Sequence, residues 1–163
     1  MKRYFVIALF ILLGTLTNPA FLQAQSVKIT GEVSTPLDLK LADMPAFTQT
    51  NVVRKDRDGN DHTYSGVILA ALLQKAGVTL GKDLKGENLT KYVSVEASDG
   101  YQVVFALAEL DKDFTDRTII LATIMDGKPL AAGDGPFRII VQDEKKPARC
   151  IKQVTGIKVV FAK

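Results

Sequence analysis

Hydrophobic and polar positions alternate along most of the chain, and this period of two predicts β-strands. Alternating or continuous apolar runs predict strands at residues 27–33, 47–53, 61–64, 92–97, 101–106, 118–125, 137–141 and 151–161. The connector at residues 35–45 has room for one short helical turn, LKLADM. Polar and glycine-containing turns separate the other runs, so the pattern predicts a strand-rich domain.

The segment YSGVILAALLQKAGV, residues 64–78, has helical spacing and predicts the main helix. Ser65 is a suitable N-cap, and Tyr64 with Leu69 could form a hydrophobic staple. Gly77 is the natural residue just beyond the C-terminal end. One apolar stripe at helical spacing consists of Ile68, Leu69, Leu72, Leu73 and Ala76. We expect a helix over residues 65–76 that packs on a sheet.

A hairpin is predicted at residues 92–106, because Asp99-Gly100 is a strong turn signal between two apolar runs. A two-residue turn would pair Val95 with Val104 and Val93 with Ala106. All four side chains would then lie on one apolar face. Together with the other strands and the single main helix, this hairpin predicts an α+β fold.

The first 25 residues differ from the rest in composition. Lys2 and Arg3 precede an apolar run at residues 4–13, and small or polar residues follow up to residue 25. This order is typical of a secretory signal peptide. A membrane anchor needs roughly 20 apolar residues, and Thr15 to Pro19 interrupt this run too early. We therefore predict a signal at residues 1–25, a domain at residues 26–163, no membrane span after cleavage, and a periplasmic or secreted location.

Charge gives little support for binding to nucleic acid. The chain has 21 basic and 18 acidic residues, a formal charge of +3, and the predicted signal holds two of the basic residues and none of the acidic ones. The mature chain would then carry a formal charge of only +1. A basic patch is the usual footprint of a nucleic-acid-binding domain, so we expect no such partner.

Tests for familiar catalytic motifs give no match. DRDGNDH at residues 56–62 lacks the glycine and glutamate spacing of a calcium loop and is interpreted as a hairpin tip. His62 is the only histidine and has no zinc-ligand cluster around it in sequence. Cys150 is the only cysteine, which excludes an internal disulfide and favours a buried small side chain.

Cationic residues cluster late in the chain, at Arg138, Lys145, Lys146, Arg149 and Lys152. Two interpretations remain open. The cluster is either a solvated loop and strand edge or a clamp for an anion such as phosphate. Within it, Arg138 could instead pair with Asp126 or Asp134 and only fix its loop.

Four stretches, in order, resemble the sulfite-oxidase-type molybdopterin-binding domain. They are YSGVILAALLQKAGV, VEASDGYQVVFALAEL, IILATIMDGKPL and GPFRIIVQDEKKPARCIKQVTGIKV, and the resemblance spans roughly residues 60–160. It implies a mixed α+β fold with curved β-sheets around a cofactor pocket. In that family, basic side chains hold a pterin phosphate, and a cysteine upstream of the helix ligates molybdenum.

The resemblance is incomplete at the metal, because residues 26–65 contain no cysteine. Cys150 cannot take the role by position, since it stands where the family usually has a tryptophan. Molybdopterin is therefore a possible cofactor by resemblance, whereas molybdenum is not expected. The resemblance assigns ligand contacts to basic residues and to one aromatic residue after the turn, namely Arg138, Arg149, Lys145, Lys146 and Tyr101.

Three functions follow from these features. The first is an exported, non-catalytic domain that binds a small anionic or pterin-like ligand. The second is a molybdopterin-dependent oxidoreductase with atypical metal ligation. The third is an accessory subunit that binds a redox partner protein. Pterin and molybdenum analysis of the purified protein distinguishes the second from the other two.

Overall fold

Two five-stranded sheets form the framework of the fold in the computed structural model, which describes residues 26–162. The strands are β1 Ser26–Gly31, β2 Leu37–Lys40, β3 Gln49–Lys55, β4 Asp61–Ile68, β5 Lys91–Ala97, β6 Gln102–Ala106, β7 Ile119–Met125, β8 Lys128–Pro129, β9 Arg138–Val141 and β10 Val154–Phe161. The α-helix is α1, Leu69–Lys75, and short 3-10 helices lie at Leu41–Ala46, Gly81–Asp83, Gly86–Thr90, Leu107–Leu110 and Pro147–Arg149. The predicted signal peptide lies outside the described residues.

Sheet A has the strand order β2-β1-β10-β5-β6. The pair β1–β10 is parallel and the other neighbours are antiparallel, so the sheet is mixed. Sheet B has the order β3-β4-β7-β8, with β9 also paired to β7, and all of its pairs are antiparallel. The predicted α+β class, with mixed sheets and one main helix, is confirmed.

The core lies between these elements and follows the predicted alternation. In β1, Val27 and Ile29 are fully buried while Lys28 between them is exposed. On α1, Leu69, Leu72 and Leu73 are fully buried. Each fully buried leucine contributes about 1.5–3 kcal/mol relative to an exposed one.

The predicted start of the helix is wrong, because β4 continues through Ile68 and α1 begins only at Leu69. Ser65 is not an N-cap: its hydroxyl donates to Asn51 Oδ1 across the β3–β4 pair at 2.7 Å. Tyr64 is a buried strand residue instead of half a staple. The predicted end of the helix is correct, since Gly77 lies just beyond α1 with a φ of +76°.

The β5–β6 hairpin is confirmed, but its predicted register is wrong by one residue. Val95 pairs with Val103 and Val93 with Phe105. Gly100 has a φ of +84° and its amide bonds to the carbonyl of Ala97, so the loop contains three residues. Shifting the register by one residue reverses the face of a strand, and Val104 is accordingly 54% exposed.

The connector before β3 contains a strand that the pattern did not predict. Leu37–Lys40 forms β2, which pairs with β1 at the edge of sheet A. The predicted helical turn follows this strand, as the 3-10 helix at Leu41–Ala46. Four residues are too few for a clear alternation, which is why the pattern missed this strand.

Candidate functional site

A pocket of about 700 Å³ lies where turns of the two sheets meet. The β3–β4 turn of sheet B and the β5–β6 turn of sheet A form two sides. The segment before β9 and residues 147–148 and 150–153 complete the wall. Ligand pockets in proteins are commonly 300–1,000 Å³, so this volume suits a small organic molecule.

Arg138 lies in the pocket wall and is fixed by three neighbours. It begins β9, is 4% exposed, and its Nη1 donates to Asp134 Oδ2 at 3.0 Å and to the hydroxyl of Tyr64 at 2.9 Å. Asp56 Oδ2 lies 3.6 Å from the same nitrogen. The guanidinium also lies 5.1 Å from the centre of the Tyr64 ring. Its charge is therefore compensated within the protein.

Tyr64 links this arginine to the β3–β4 turn. Its hydroxyl donates to Asp56 Oδ2 at 2.5 Å, while its ring is fully buried. Burial, followed by the hydrogen bond to Asp56, raises the pKa of Tyr64 well above its usual value. The phenol stays protonated throughout the ordinary pH range and acts as a fixed hydrogen-bond donor.

Five charged side chains of alternating sign form a continuous charge row, of which the last four lie in this wall: Arg54, Asp56, Arg138, Asp134 and Lys152. Arg54 Nε lies 3.5 Å from Asp56 Oδ1, and Asp134 Oδ1 lies 2.5 Å from Lys152 Nζ. At the inner end, Arg54 Nη1 donates to the carbonyls of Val141 and Glu144. The Nε atoms of Arg54 and Arg138 make no hydrogen bond, so the Arg54–Asp56 contact is Coulombic attraction without hydrogen-bond geometry.

Acidic and basic side chains are equally numerous in the pocket wall. Arg57, His62, Arg138 and Lys152 face Asp56, Asp58, Asp99 and Asp134. Among residues 26–162, Arg57 is the basic wall residue that makes no ion pair. The pocket thus offers many polar atoms but little net charge.

His62 bridges two turns at the rim of the pocket. Its Nδ1 lies 2.6 Å from Asp126 Oδ2 and its Nε2 lies 2.9 Å from Asp58 Oδ2. Both partners are acceptors, so both ring nitrogens must carry protons. The hydrogen bonds to Asp126 and then to Asp58 raise the pKa of His62 to about 9. The prediction of a hairpin tip at this segment is correct, and His62 fastens that tip to the β7–β8 turn.

Tyr101 presents an aromatic ring at the opposite side of the pocket. It is 51% exposed, and its hydroxyl donates to the carbonyl of Ala148 at 3.2 Å. Its amide donates to Asp99 Oδ1 at 2.9 Å, which fixes it at the end of the turn. The ring is therefore held in one place while one face remains open for contact.

Cys150 also lies in the pocket wall and is 3% exposed, as the sequence predicts for a small buried side chain. Its sulfur accepts a hydrogen bond from the amide of Val141 at 3.5 Å. Burial raises the pKa of the Cys150 thiol. The thiol is consequently protonated at neutral pH and is a poor nucleophile.

Three of the predicted ligand residues lie outside this wall. Arg149 pairs with Glu144 at 2.9 Å and with Glu109 at 3.3 Å, and its guanidinium lies 4.6 Å from the centre of the Phe105 ring. Lys145 and Lys146 are exposed in the same loop. Of the five residues assigned from the resemblance, the structure brings together Arg138 and Tyr101. The role of all five in ligand binding stays a prediction.

Several wall residues carry no direct signal in the sequence. Asp56, in the β3–β4 turn, and Tyr64, in β4, are far from Arg138 along the chain, so no local spacing connects them. Only the separation of Asp134 and Arg138 by four residues was visible in the sequence, and that pairing is the alternative left open there. Arg57 was interpreted as part of a solvated tip.

Among residues 26–162, no group of three or more histidine, cysteine, aspartate or glutamate side chains is placed to hold a metal ion. Within that same range, no helix is long and apolar enough to cross a membrane.

Comparison with known proteins identifies related sequences and structures. The sequence model of the oxidoreductase molybdopterin binding domain matches residues 17–163. The crystal structure of the sulfane dehydrogenase SoxCD from Paracoccus pantotrophus has a similar fold, with a TM-score of 0.65 and 20% sequence identity. The similarity covers 85% of this chain but 39% of that one, and at this identity it establishes the fold alone. No curated protein matches the chain significantly.

Proposed function

Because the chain belongs to the family of oxidoreductase molybdopterin-binding domains, we propose that it is an exported, non-catalytic member that binds a small pterin-like heterocycle. The ligand occupies the pocket between the β3–β4 and β5–β6 turns. Export is supported by the composition of residues 1–25, which is typical of a signal peptide.

The observation that carries this proposal is the composition of the pocket wall. Most of its charged groups are already paired with opposite charges, and the exposed ring of Tyr101 lies in the same wall. Arg138 and His62 are both paired with carboxylates, so the wall offers donors and acceptors without much net charge. A flat heterocycle that has hydrogen-bond donors and acceptors along its edges can bind to these groups of the wall. Its face stacks on Tyr101, which is held but exposed.

The complete molybdenum cofactor does not fit this set of residues. Its phosphate needs a pair of free cations, yet Asp134 already engages both Arg138 and Lys152, and Arg57 is the single basic wall residue among residues 26–162 without an ion pair. Its metal is ligated in the family by a cysteine upstream of the helix, and residues 26–65 contain none. The one thiol that is present, Cys150, is buried and protonated. The heterocyclic ring is the part of the cofactor that suits the pocket.

A fluorescence titration with pterin tests the proposal. We compare the wild type with Tyr101→Leu and with Phe114→Leu, because Phe114 is 50% exposed but lies outside the pocket wall. An aromatic pair contributes about 0.5–1.5 kcal/mol, so Kd should rise about three- to tenfold in Tyr101→Leu and stay unchanged in Phe114→Leu. Absence of binding to the wild type, or equal affinity in all three proteins, would reject the proposal.

A second candidate function is favoured by one observation, the position of Cys150 in the same wall as Arg138 and Tyr101. In that function the protein is a molybdopterin-dependent oxidoreductase whose thiolate ligand comes from Cys150. Metal analysis of protein purified from its export compartment decides between the two. Stoichiometric molybdenum in the wild type, lost in Cys150→Ala, would establish the second function in place of the first.

A further inference from the structure

We propose that Asp134 determines which ligands the pocket accepts, by occupying the two cations that would otherwise bind a phosphate group. This inference rests on the proposed function, since it concerns the same pocket. It makes Asp134 an internal anion: the carboxylate provides intramolecularly the negative charge that a phosphate ligand would bring.

Both oxygens of Asp134 are engaged, each with a different cation. Oδ2 accepts from Arg138 Nη1 at 3.0 Å, and Oδ1 lies 2.5 Å from Lys152 Nζ. A guanidinium and an ammonium held on either side of one anionic group form the usual arrangement for phosphate. With Asp134 in place, a phosphate would have to displace a carboxylate that is already fixed.

The backbone holds this carboxylate in position. The amide of Asp134 donates to the carbonyl of Ala131 at 2.8 Å, and its carbonyl accepts from the amide of Gln153 at 3.0 Å. The side chain of Gln153 donates to the carbonyl of Ala132 at 2.9 Å. The segment that carries Asp134 is thus joined to the segment that carries Lys152, which keeps the two residues next to each other.

Neutralising Asp134 should leave Arg138 in place. Tyr64 and Asp56 contact the same guanidinium nitrogen from the other side, at 2.9 and 3.6 Å. The side chain of Lys152 is 53% exposed, so water can solvate its ammonium group when the carboxylate is removed. Asp134→Asn therefore converts a balanced wall into one with an additional positive charge and two cations available to a ligand.

The experiment measures melting temperature and Kd for inorganic phosphate in wild type, Asp134→Asn and Asp38→Asn. Asp38 is an exposed β2 residue with no ion pair in the described part of the chain, so its replacement matches the change in net charge. We expect phosphate, at constant ionic strength, to raise the melting temperature of Asp134→Asn alone and its Kd to be at least tenfold lower there. Adding Lys152→Gln to Asp134→Asn should remove most of that gain.

Several results would overturn the inference. One is a wild type that binds phosphate as tightly as Asp134→Asn, and another is a folded Asp134→Asn that does not respond to phosphate. If Asp134→Asn is unfolded in phosphate-free buffer, phosphate must restore its circular dichroism spectrum, and failure to do so rejects the inference. The pterin titration of the wild type is independent of these measurements, so failure of the proposed function would be recognised separately.

Discussion

His62 shows how the charge state of one residue follows from its partners. Two carboxylates accept from its two nitrogens, so the bridge exists only with a protonated ring. Its pKa of about 9 lies above the usual 6.5. The hydrogen bonds lower the pKa of Asp58 to about 2, chiefly through the amide of Asn60 and then through His62. The bridge is therefore complete from mildly acidic to neutral pH.

Stability should depend on pH through this bridge. The raised pKa of His62 means that its contribution is fully present below pH 6.5 and is lost as the pH rises through 9. We expect urea unfolding to give a larger stability difference between wild type and His62→Gln at pH 6 than at pH 9.5. Lys55→Gln, an exposed change on the same hairpin, should give a difference that is the same at both pH values. A difference for His62→Gln that does not change with pH would contradict the bridge.

For single residues, the sequence predicts burial and exposure better than it predicts which side chains are in contact. The burial of Cys150 and the exposed hairpin tip were foreseen, because both depend on local composition. Of the neighbours of Arg138, Asp134 was one of the alternatives, but Tyr64 and Asp56 were not predicted, because they arrive through the pairing of β3 with β4 and β4 with β7. Such contacts depend on the pairing of strands that are distant along the chain, which local spacing does not show.

Among the secondary-structure elements, the junction between β4 and α1 shows tertiary structure overriding a local pattern. Residues 65–68 carry a good capping signal yet remain in β4, because β4 pairs with β7 along this stretch. Gly66 allows the close approach: a Cβ there would overlap the backbone of Leu121 and lie 2.5 Å from Ala122 Cα. A register shift lies between Ser65 and Gly66, and β4 stays paired with β7 from there to Ile68, directly before α1.

Gly66→Ala should therefore be destabilising. We expect a loss of about 1–3 kcal/mol, the usual cost of overpacking a filled interior. Gly156→Ala is the matched control, since it lies in β10 beside another register shift and its Cβ would meet only Glu96 Cβ at 3.8 Å. Denaturant unfolding should show a change below about 0.5 kcal/mol for that control. Equal losses in the two variants would mean that the close approach at Gly66 is unimportant.

In the β5–β6 hairpin, the turn residues predict the position of the turn but not the length of its loop. Asp99-Gly100 correctly located the β5–β6 turn, but the loop length could not be decided from two residues. The exposure of Val104 follows from the third loop residue, and only the packed sheet fixes that choice. Strands were thus predictable where the alternation of apolar and polar residues was long, whereas the pairing register between strands was not.

For the whole molecule, the order of four weak motifs was more informative than any one of them. They led to the prediction of a sulfite-oxidase-type domain, which the family match and the similar fold confirm. The pocket between turns of two sheets could not be derived from period or composition. It arises from how the sheets meet, and only the fold supplies that information.

The proposed export makes a prediction about the N-terminus of the mature protein. Mass spectrometry of protein recovered outside the cytoplasm of its native host should show a chain that begins at Gln25 or Ser26. β1 begins at Ser26, and Val27 and Ile29 are fully buried, so a cut after Val27 would remove part of the core. Recovery of a chain that still begins at Met1, or of one cut within β1, would contradict the prediction.

The parallel pairing of β1 with β10 has a consequence for how the chain folds. Ile29 lies beside Ile157, so β1 can pair with β10 only after the last strand has been made. Closing so large a loop is entropically costly, and contacts of such high sequence separation slow folding. Sheet A therefore cannot be completed before β10 has been synthesised, and under the proposed export β1 has no β10 partner until residues 154–161 have also crossed the membrane.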